Sequence, residues 1–332
     1  MKHENFFKDF LDKEVNLNPG RLQTLEDRKS AVKHFLERKV PGYVKVSAQG
    51  SYAHQTIIKP VKDNDEFDAD LLVFIKDSDF NPDIYVRDYV KELYDVFRSD
   101  ERYKDKVRLK TRCVTIDYSG DFHLDIVPCI KYDKYAYVSN RKDSEYEKTD
   151  GEGYSNWVAD CNKRIGGNYM RKSVRLLKFL RDHKDNFSVK SILLTTLVGE
   201  ASLPVASDSC NNTPTALKNL SNNVNDFLSA NSDMPEVKNP VLPEENFNRH
   251  WDDAKYKNFR DKFSLYCEKI NDAYEEEDHD KSVKKWRKLF GDKFGELKDD
   301  QSATPGAVAV TAPVVTAPFI APAKKPYGGK CD

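Results

Sequence analysis

Asp68-Ala69-Asp70 stands at the head of the unbroken apolar run Leu71 to Ile75, and that pattern restricts the chain strongly. Five consecutive apolar residues read as a buried strand. Residues i and i+2 of a strand project from the same face, so the two carboxylates point together into one cleft while Leu71, Val73 and Ile75 face a core. Paired acids in such a place want a hard cation. Mg²⁺ prefers oxygen ligands, keeps several waters, and is usually held by one or two carboxylates plus the phosphates of a substrate. The pattern therefore points to metal-assisted chemistry on phosphates.

A third acid comes from Phe122-His123-Leu124-Asp125-Ile126-Val127-Pro128, where Asp125 sits between apolar residues of a second strand. Three carboxylates are a sufficient scaffold for two metal ions, Mg²⁺ or Mn²⁺. Asp68 and Asp70 would hold both ions and a triphosphate; Asp125 would complete the ion facing the acceptor hydroxyl and help deprotonate it. Asp117, in Thr115-Ile116-Asp117-Tyr118, also alternates with apolar residues and is the rival to Asp125, which has the better apolar flanks. Glu66 shares the face of Asp68 and Asp70, so a register of Glu66 with Asp68 competes with the later pair that abuts the strand. His123 reads as a hydrogen-bonded structural histidine, and His54 as a capping or solvent-facing one.

Upstream, the strand-like Val44 to Ala48 runs into Gly50-Ser51 and a polar turn continues to Thr56. Gly permits close backbone approach, Ser adds a hydroxyl donor, and backbone amides at such a turn bind phosphate.

Gly50-Ser51, Asp68-Ala69-Asp70-Leu71 and His123-Leu124-Asp125-Ile126-Val127-Pro128 together resemble the polymerase-β-type nucleotidyltransferase signature. A narrower likeness is carried by Ser51-Tyr52, Ile57-Ile58-Lys59-Pro60, Glu66 to Val73 and Lys190-Ser191-Ile192-Leu193-Leu194. These resemble the bacterial cyclic-oligonucleotide synthases of CBASS anti-phage operons, the CD-NTases, which are related to animal cyclic GMP-AMP synthase. The likeness runs from about Asn5 to Phe290 and fades after Glu200. It implies an α+β fold with a polymerase-β-like lobe, NTP substrates such as ATP or GTP, and a cyclic di- or trinucleotide product. In that family a lysine on the long helix behind the site and a serine opening the next helix grip the donor triphosphate. The matching residues are Lys178 and Ser191, with Lys190 as an auxiliary; the following position, which can carry a base-stacking aromatic, is Ile192.

Two other functions compete. One is a polymerase-β-type enzyme that modifies RNA, a protein or a small molecule; the other is a non-catalytic, antitoxin-like nucleotide-binding module. The first would need an acceptor besides NTPs, and the second would release no pyrophosphate.

Charge bears on partners, because gripping long nucleic acid needs a basic face that displaces counterions. Here 54 basic side chains meet 55 acidic ones, interleaved along the chain, so mononucleotides are the better substrate and no long nucleic acid is expected. No apolar run approaches a membrane span, and the start Met1 to Phe7 lacks the pattern of a signal peptide, so a cytoplasmic protein with no membrane partner is expected. The six cysteines show no Cys-x-x-Cys spacing, which argues against a zinc site or a disulfide framework.

Periodicity predicts helices over Asn5–Val15, Gly20–Lys39 and Pro82–Arg98, and strands over Val44–Ala48, Ala69–Ile75, Lys106–Tyr118 and Phe122–Ile130. From Ser155 onward the pattern is helical: Asn156–His183, Val189–Gly199, Pro214–Ser229 and two helices between Asp252 and Phe290. The expected division is a catalytic lobe with N-terminal helices over 1–154, a helical lobe over 155–297 that completes the nucleotide pocket, and a disordered tail over 298–332. Ala303 to Pro326 is rich in Ala, Pro, Val and Thr, with prolines that forbid helix and interior strand. The tail ends Tyr327-Gly328-Gly329-Lys330-Cys331-Asp332. Some members of the resembled family are conjugated through their C-termini by ubiquitin-transfer-like proteins encoded beside them, so the resemblance implies such a protein as a partner of this tail, the alternative being a flexible terminus under no such selection.

Overall fold

The computed structural model describes residues 1–62, 66–118 and 122–298. The expectations for the tail fall from residue 299 onward, outside the described residues.

The chain opens with α1 (Glu4–Phe10), which runs directly into a π-helical turn over Leu11–Val15, and then α2 (Pro19–Lys39). Asn18 starts α2 by accepting a hydrogen bond from the backbone N–H of Arg21 at 2.8 Å, with Pro19 in the first turn. A sheet follows: β1 (Tyr43–Gln49), the single-turn α3 (Gly50–Ala53), β2 (Phe67–Ile75), α4 (Tyr89–Arg98), β3 (Val107–Leu109), β4 (Val114–Tyr118), β5 (Phe122–Tyr132), β6 (Tyr135–Asn140) and β7 (Glu145–Thr149). Its main path is β1-β2-β5-β4-β3, with β6 and β7 continuing from β5. Among the described residues only β2 and β5 pair in parallel, and their register places Asp70 opposite Asp125 and Asp68 opposite His123.

Alternation sorts the side chains of β2 and β5 onto two faces. Ala69, Leu71 and Val73, with Leu124 and Ile126, join Leu25, Val32 and Phe35 of α2 and Leu93 and Phe97 of α4 in one core. Leu72, Phe74, Val127 and Cys129 form a smaller cluster on the opposite face, the face that carries Asp68, Asp70 and Asp125. Both sides of β2 are therefore buried beyond its acidic end, which is why the sequence reads there as an apolar run rather than an alternation.

The helical half comprises α5 (Gly151–Ile165), α6 (Tyr169–Lys184), α7 (Ser191–Ser202), α8 (Thr213–Ala230), the short pair β8 (Lys238–Asn239) and β9 (Leu242–Asn246), α9 (Asp253–Glu275) and α10 (His279–Phe290). Helix α6 packs against α5, α7, α8 and α10. The first helix belongs to this core and not to the sheet: Phe7 lies 4.9 Å from Trp286 and from Phe294, and Phe10 lies 5.0 Å from Phe179, ring centre to ring centre. Of the two N-terminal helices expected with the catalytic lobe, α2 packs on the sheet and α1 on the helices.

Three elements differ from their sequence readings. The helix expected from Pro82 begins at Tyr89, because the Asp88 carboxylate accepts from the N–H of Lys91 at 2.9 Å, and because Phe80 and Tyr85 hold the preceding segment against Tyr146. The long helix Asn156–His183 is two helices broken at Gly166-Gly167, whose φ values of +76° and +54° end the first. The strand Lys106–Tyr118 is interrupted by a turn closed by the N–H of Lys110 on the carbonyl of Cys113. The five described cysteines are buried free thiols, and among the described residues no helix is long and apolar enough to cross a membrane.

Candidate active site

A cavity of about 730 Å³ opens between the acidic end of β2 and the helices α6 and α7. Seven of the eight residues singled out in the sequence lie in its wall: Gly50, Ser51, Asp68, Asp70, Lys178, Lys190 and Ser191. The eighth, Asp125, sits behind them at 4% exposure, one strand over from Asp70.

The strand end makes Gly50 obligatory. Its φ is +65°, and a Cβ placed there would stand 2.1 Å from Oδ2 of Asp70, so the turn leaving β1 lies against that carboxylate. Register supports the same proximity, since Gln49 pairs with Asp70. The turn is closed by the N–H of His54 on the carbonyl of Gly50 and the N–H of Thr56 on that of Ser51.

The acids crowd one another. Burial first, then the charges of Asp125 and Asp68, pushes the Asp70 carboxyl up to about 8. Asp125 is fixed by the hydroxyl of Thr115, which donates to its Oδ1 from the facing position on β4. Oxygen donors under like-charge repulsion suit a hard divalent cation, which would relieve that repulsion. Among the described residues no three His, Cys, Asp or Glu side chains form a closed metal-ligand group.

Opposite the acids, Lys178 is 3% exposed, and its Nζ donates to the carbonyl of Thr56 at 3.0 Å and to its hydroxyl at 3.3 Å. Burial, followed by Arg181, lowers its pKa to about 7 against the pull of Asp182 and Asp70. Ser191 opens α7, and Lys190 is the residue before the first turn. Arg181, one helical turn beyond Lys178, ties the two helices together: its guanidinium donates to the carbonyl of Val189 and the hydroxyl of Ser191, and is held by Asp182. Sequence reasoning passed over Arg181 and Thr115. The spacing from Lys178 pointed to the first; the second required the β4–β5 register.

The remaining candidates fall into supporting places. His123 bridges Glu66 and Asp117, 2.7 Å from the latter, and Asp117 also pairs with Arg108, so Asp117 is committed to a structural network. His54 is not solvent-facing: it caps the end of α3, is buried, and lies against Tyr154 with the rings tilted and their centres 5.1 Å apart. Ile192 lies in the cavity wall together with the flat side chains of Phe187 and His250. Burial, with Arg249 and Lys190, lowers His250 to about 4, so it faces the cavity uncharged.

Residues 1–162, which include the Gly50-Ser51 turn and all three acids, match the Second Messenger Oligonucleotide or Dinucleotide Synthetase domain. The chain is similar to the CD-NTases. A c-di-GMP synthase of Roseivirga ehrenbergii is 28% identical over 253 residues, covering 65% of this chain and 64% of the relative. The chain thus spans less than two thirds of that relative's length. Among solved structures, Escherichia coli MS115-1 CdnC with ATP superposes with a TM-score of 0.70 at 19% identity, over 88% of this chain and 99% of that one. Vibrio cholerae DncV, a cyclic AMP-GMP synthase in complex with the linear intermediate 5′ pppA(3′,5′)pG, superposes with a TM-score of 0.69 at 14% identity, over 89% and 97%. The fold expected from the acidic strands, α+β with a mixed sheet, is the fold these proteins share.

Proposed function

We propose that the chain is a nucleotidyltransferase that joins NTPs stepwise in this cavity into a cyclic di- or trinucleotide second messenger for bacterial anti-phage signalling. The observation that carries the reading is the convergence on one cavity of Asp68, Asp70, Lys178 and Ser191, with Asp125 in register behind Asp70. Relatives named as c-di-GMP and cyclic AMP-GMP synthases, the second holding a linear dinucleotide, support a product assembled in two steps.

Asp68, Asp70 and Asp125 would hold two divalent ions, Mg²⁺ or Mn²⁺. Such ions, when bound, activate the attacking hydroxyl and steady the leaving pyrophosphate. The chain's own groups do the rest. Lys178 and Ser191 grip the donor triphosphate from the helical side, with Lys190 adding charge at the rim, and the Gly50-Ser51 turn bounds it from the sheet side. Asp125, oriented by Thr115, lies on the acceptor side, where a carboxylate can take the proton of the attacking hydroxyl. Catalysis then rests on positioning and charge, as phosphoryl chemistry generally does.

The donor is assigned to the space between a lobe over 1–154 and a lobe over 155–297, and the cytoplasm is the assigned compartment. The tail is assigned to a ubiquitin-transfer-like protein of the same operon; deleting Gly328 to Asp332 should eliminate covalent adducts with it while synthesis continues.

Incubating the purified chain with labelled ATP, GTP, CTP and UTP, divalent metal and no other acceptor tests the central reading. Mass spectrometry should find a cyclic product that disappears in Asp68→Asn and Asp70→Asn. NTP binding without pyrophosphate release, or product from either variant, would refute it.

A further inference from the structure

Helix α6 presents three cations on one face, Arg171, Arg175 and Lys178, at spacings of four and three residues. All three donate to the same two-residue stretch. Arg171 Nη1 bonds the side-chain Oε1 of Gln55 at 3.0 Å, Arg175 Nη1 bonds its backbone carbonyl at 3.0 Å, and Lys178 Nζ takes the carbonyl and hydroxyl of Thr56. Neither arginine is in the cavity wall.

Gln55 is the pivot between the cavity-lining turn and Thr56. Its φ is +57°, the left-handed region that costs an L-residue with a Cβ about 1–2 kcal/mol. Its side chain is exposed, so packing does not impose that conformation, whereas the two guanidinium groups do touch it on both of its oxygen atoms. The adjoining Thr56 N–H holds the carbonyl of Ser51 at 2.9 Å, and its carbonyl holds Lys178 at 3.0 Å. A shift at Gln55 is therefore transmitted to two elements that face the cavity.

The arginines also sit at a cost. Among the described residues neither forms an ion pair, the Nε atoms of both are buried without a hydrogen-bond partner, and burial lowers the pKa of each, with Arg171 further disfavouring the charge of Arg175. Two like charges held side by side at half-buried positions are unfavourable, and Asp12 offsets this only for Arg175.

We infer that Arg171 and Arg175 are positioning residues for the donor triphosphate: from behind the cavity wall they lock Gln55 in its left-handed conformation, and so fix both the Gly50-Ser51 turn and Lys178 against the phosphates. This rests on the nucleotide-binding reading above. The contribution is felt by the phosphates and not by the base, and it appears in ground-state binding before it appears in turnover.

The test measures affinity for a non-hydrolysable NTP and for the matching nucleoside monophosphate, with Mg²⁺, in Arg171→Met, Arg175→Met, Arg175→Lys and Gln55→Ala, with KM, kcat and thermal unfolding alongside. Losing a charged hydrogen bond typically weakens an interaction about tenfold or more. Each Met variant should raise the triphosphate Kd by about tenfold, move the monophosphate Kd by less than about threefold, raise KM, and change kcat little. Arg175→Lys, which keeps a cationic donor, should recover most of the affinity. Gln55→Ala alters an exposed residue outside the cavity wall and keeps the readout available should an arginine variant unfold; it too should weaken the triphosphate selectively. Unchanged triphosphate affinity in the folded variants, or equal losses for both nucleotides, overturns the inference. A parent chain that binds no NTP at all would instead overturn the reading on which it rests.

Discussion

Replacing Gly50 by Ala separates the chemistry of the acids from the stability of the fold. A Cβ at this position meets two obstacles: the left-handed backbone, and Oδ2 of Asp70 at 2.1 Å, where ordinary van der Waals contact begins near 3.4 Å. The conformational part costs about 1–2 kcal/mol. The steric part falls on a side-chain carboxylate that can rotate away, so the Asp70 oxygen should retreat by more than 1 Å instead of the strand breaking. Displacement of that size at a reacting centre costs about 10²-fold in rate. Gly42 supplies the control: its φ is +70° and an added Cβ meets the backbone carbonyl of Lys76 at 2.3 Å, at the other end of β2 from the acids. Urea unfolding and pyrophosphate release should be measured on Gly50→Ala and Gly42→Ala together. Both should lose at least about 1–2 kcal/mol of stability, and only Gly50→Ala should lose about 10²-fold in kcat. Wild-type turnover in folded Gly50→Ala would refute the reasoning, and so would an equal loss of turnover in Gly42→Ala.

Lys178→Ala and Ser191→Ala should each weaken NTP binding roughly ten- to hundredfold, read by titration calorimetry, because each removes a charge or donor aimed at phosphate oxygens. Thr115→Val should lower kcat about tenfold while leaving NTP affinity in place, since it removes a hydrogen bond that orients Asp125 and touches nothing on the donor side. In metal-free buffer, Asp70→Asn should melt higher than the parent, by a margin that widens as pH rises from about 4 through about 8. The raised folded pKa means that the folded parent holds a proton the unfolded chain has lost, so the parent loses stability over that window and the amide does not. Mg²⁺ should raise the melting temperature of the parent more than that of the amide variant.

The strands that carry the site were legible because each acid sits at the boundary between a polar opening and an apolar run, as in Asp70-Leu71-Leu72 and Leu124-Asp125-Ile126. What could not be read was which positions face each other across strands. Asp70 beside Asp125 and Thr115 beside Asp125 are facts of register, set by pairing between segments far apart in sequence. The same limit hid the role of Gln55, whose partners lie 116 and 120 residues away. Helix boundaries failed where local chemistry overrode periodicity: Asp88 caps α4 seven residues late relative to Asn81-Pro82, and two left-handed glycines divide a pattern that is helical on both sides. The hairpin of β6 and β7 was not legible because Glu145 to Thr149 holds three charged residues in five, buries none of them and has no apolar face.

The seating of α1 among α6, α10 and Phe294 makes the sheet half an insertion within the helical half. The backbone passes from one to the other between the π-helical turn and α2 and again where β7 meets α5, and Ile58 and Val61 also reach the helical core from the stretch before β2. A fragment cut only at the second crossing would carry Phe7, Phe10, Leu11 and Val15 with their partners gone, leaving four apolar side chains in water and the helical core with a gap where they belong. During synthesis, moreover, the first aromatic residues of the chain must wait for Trp286 and Phe290 before the helical core can close, so this half is assembled last although it is begun first.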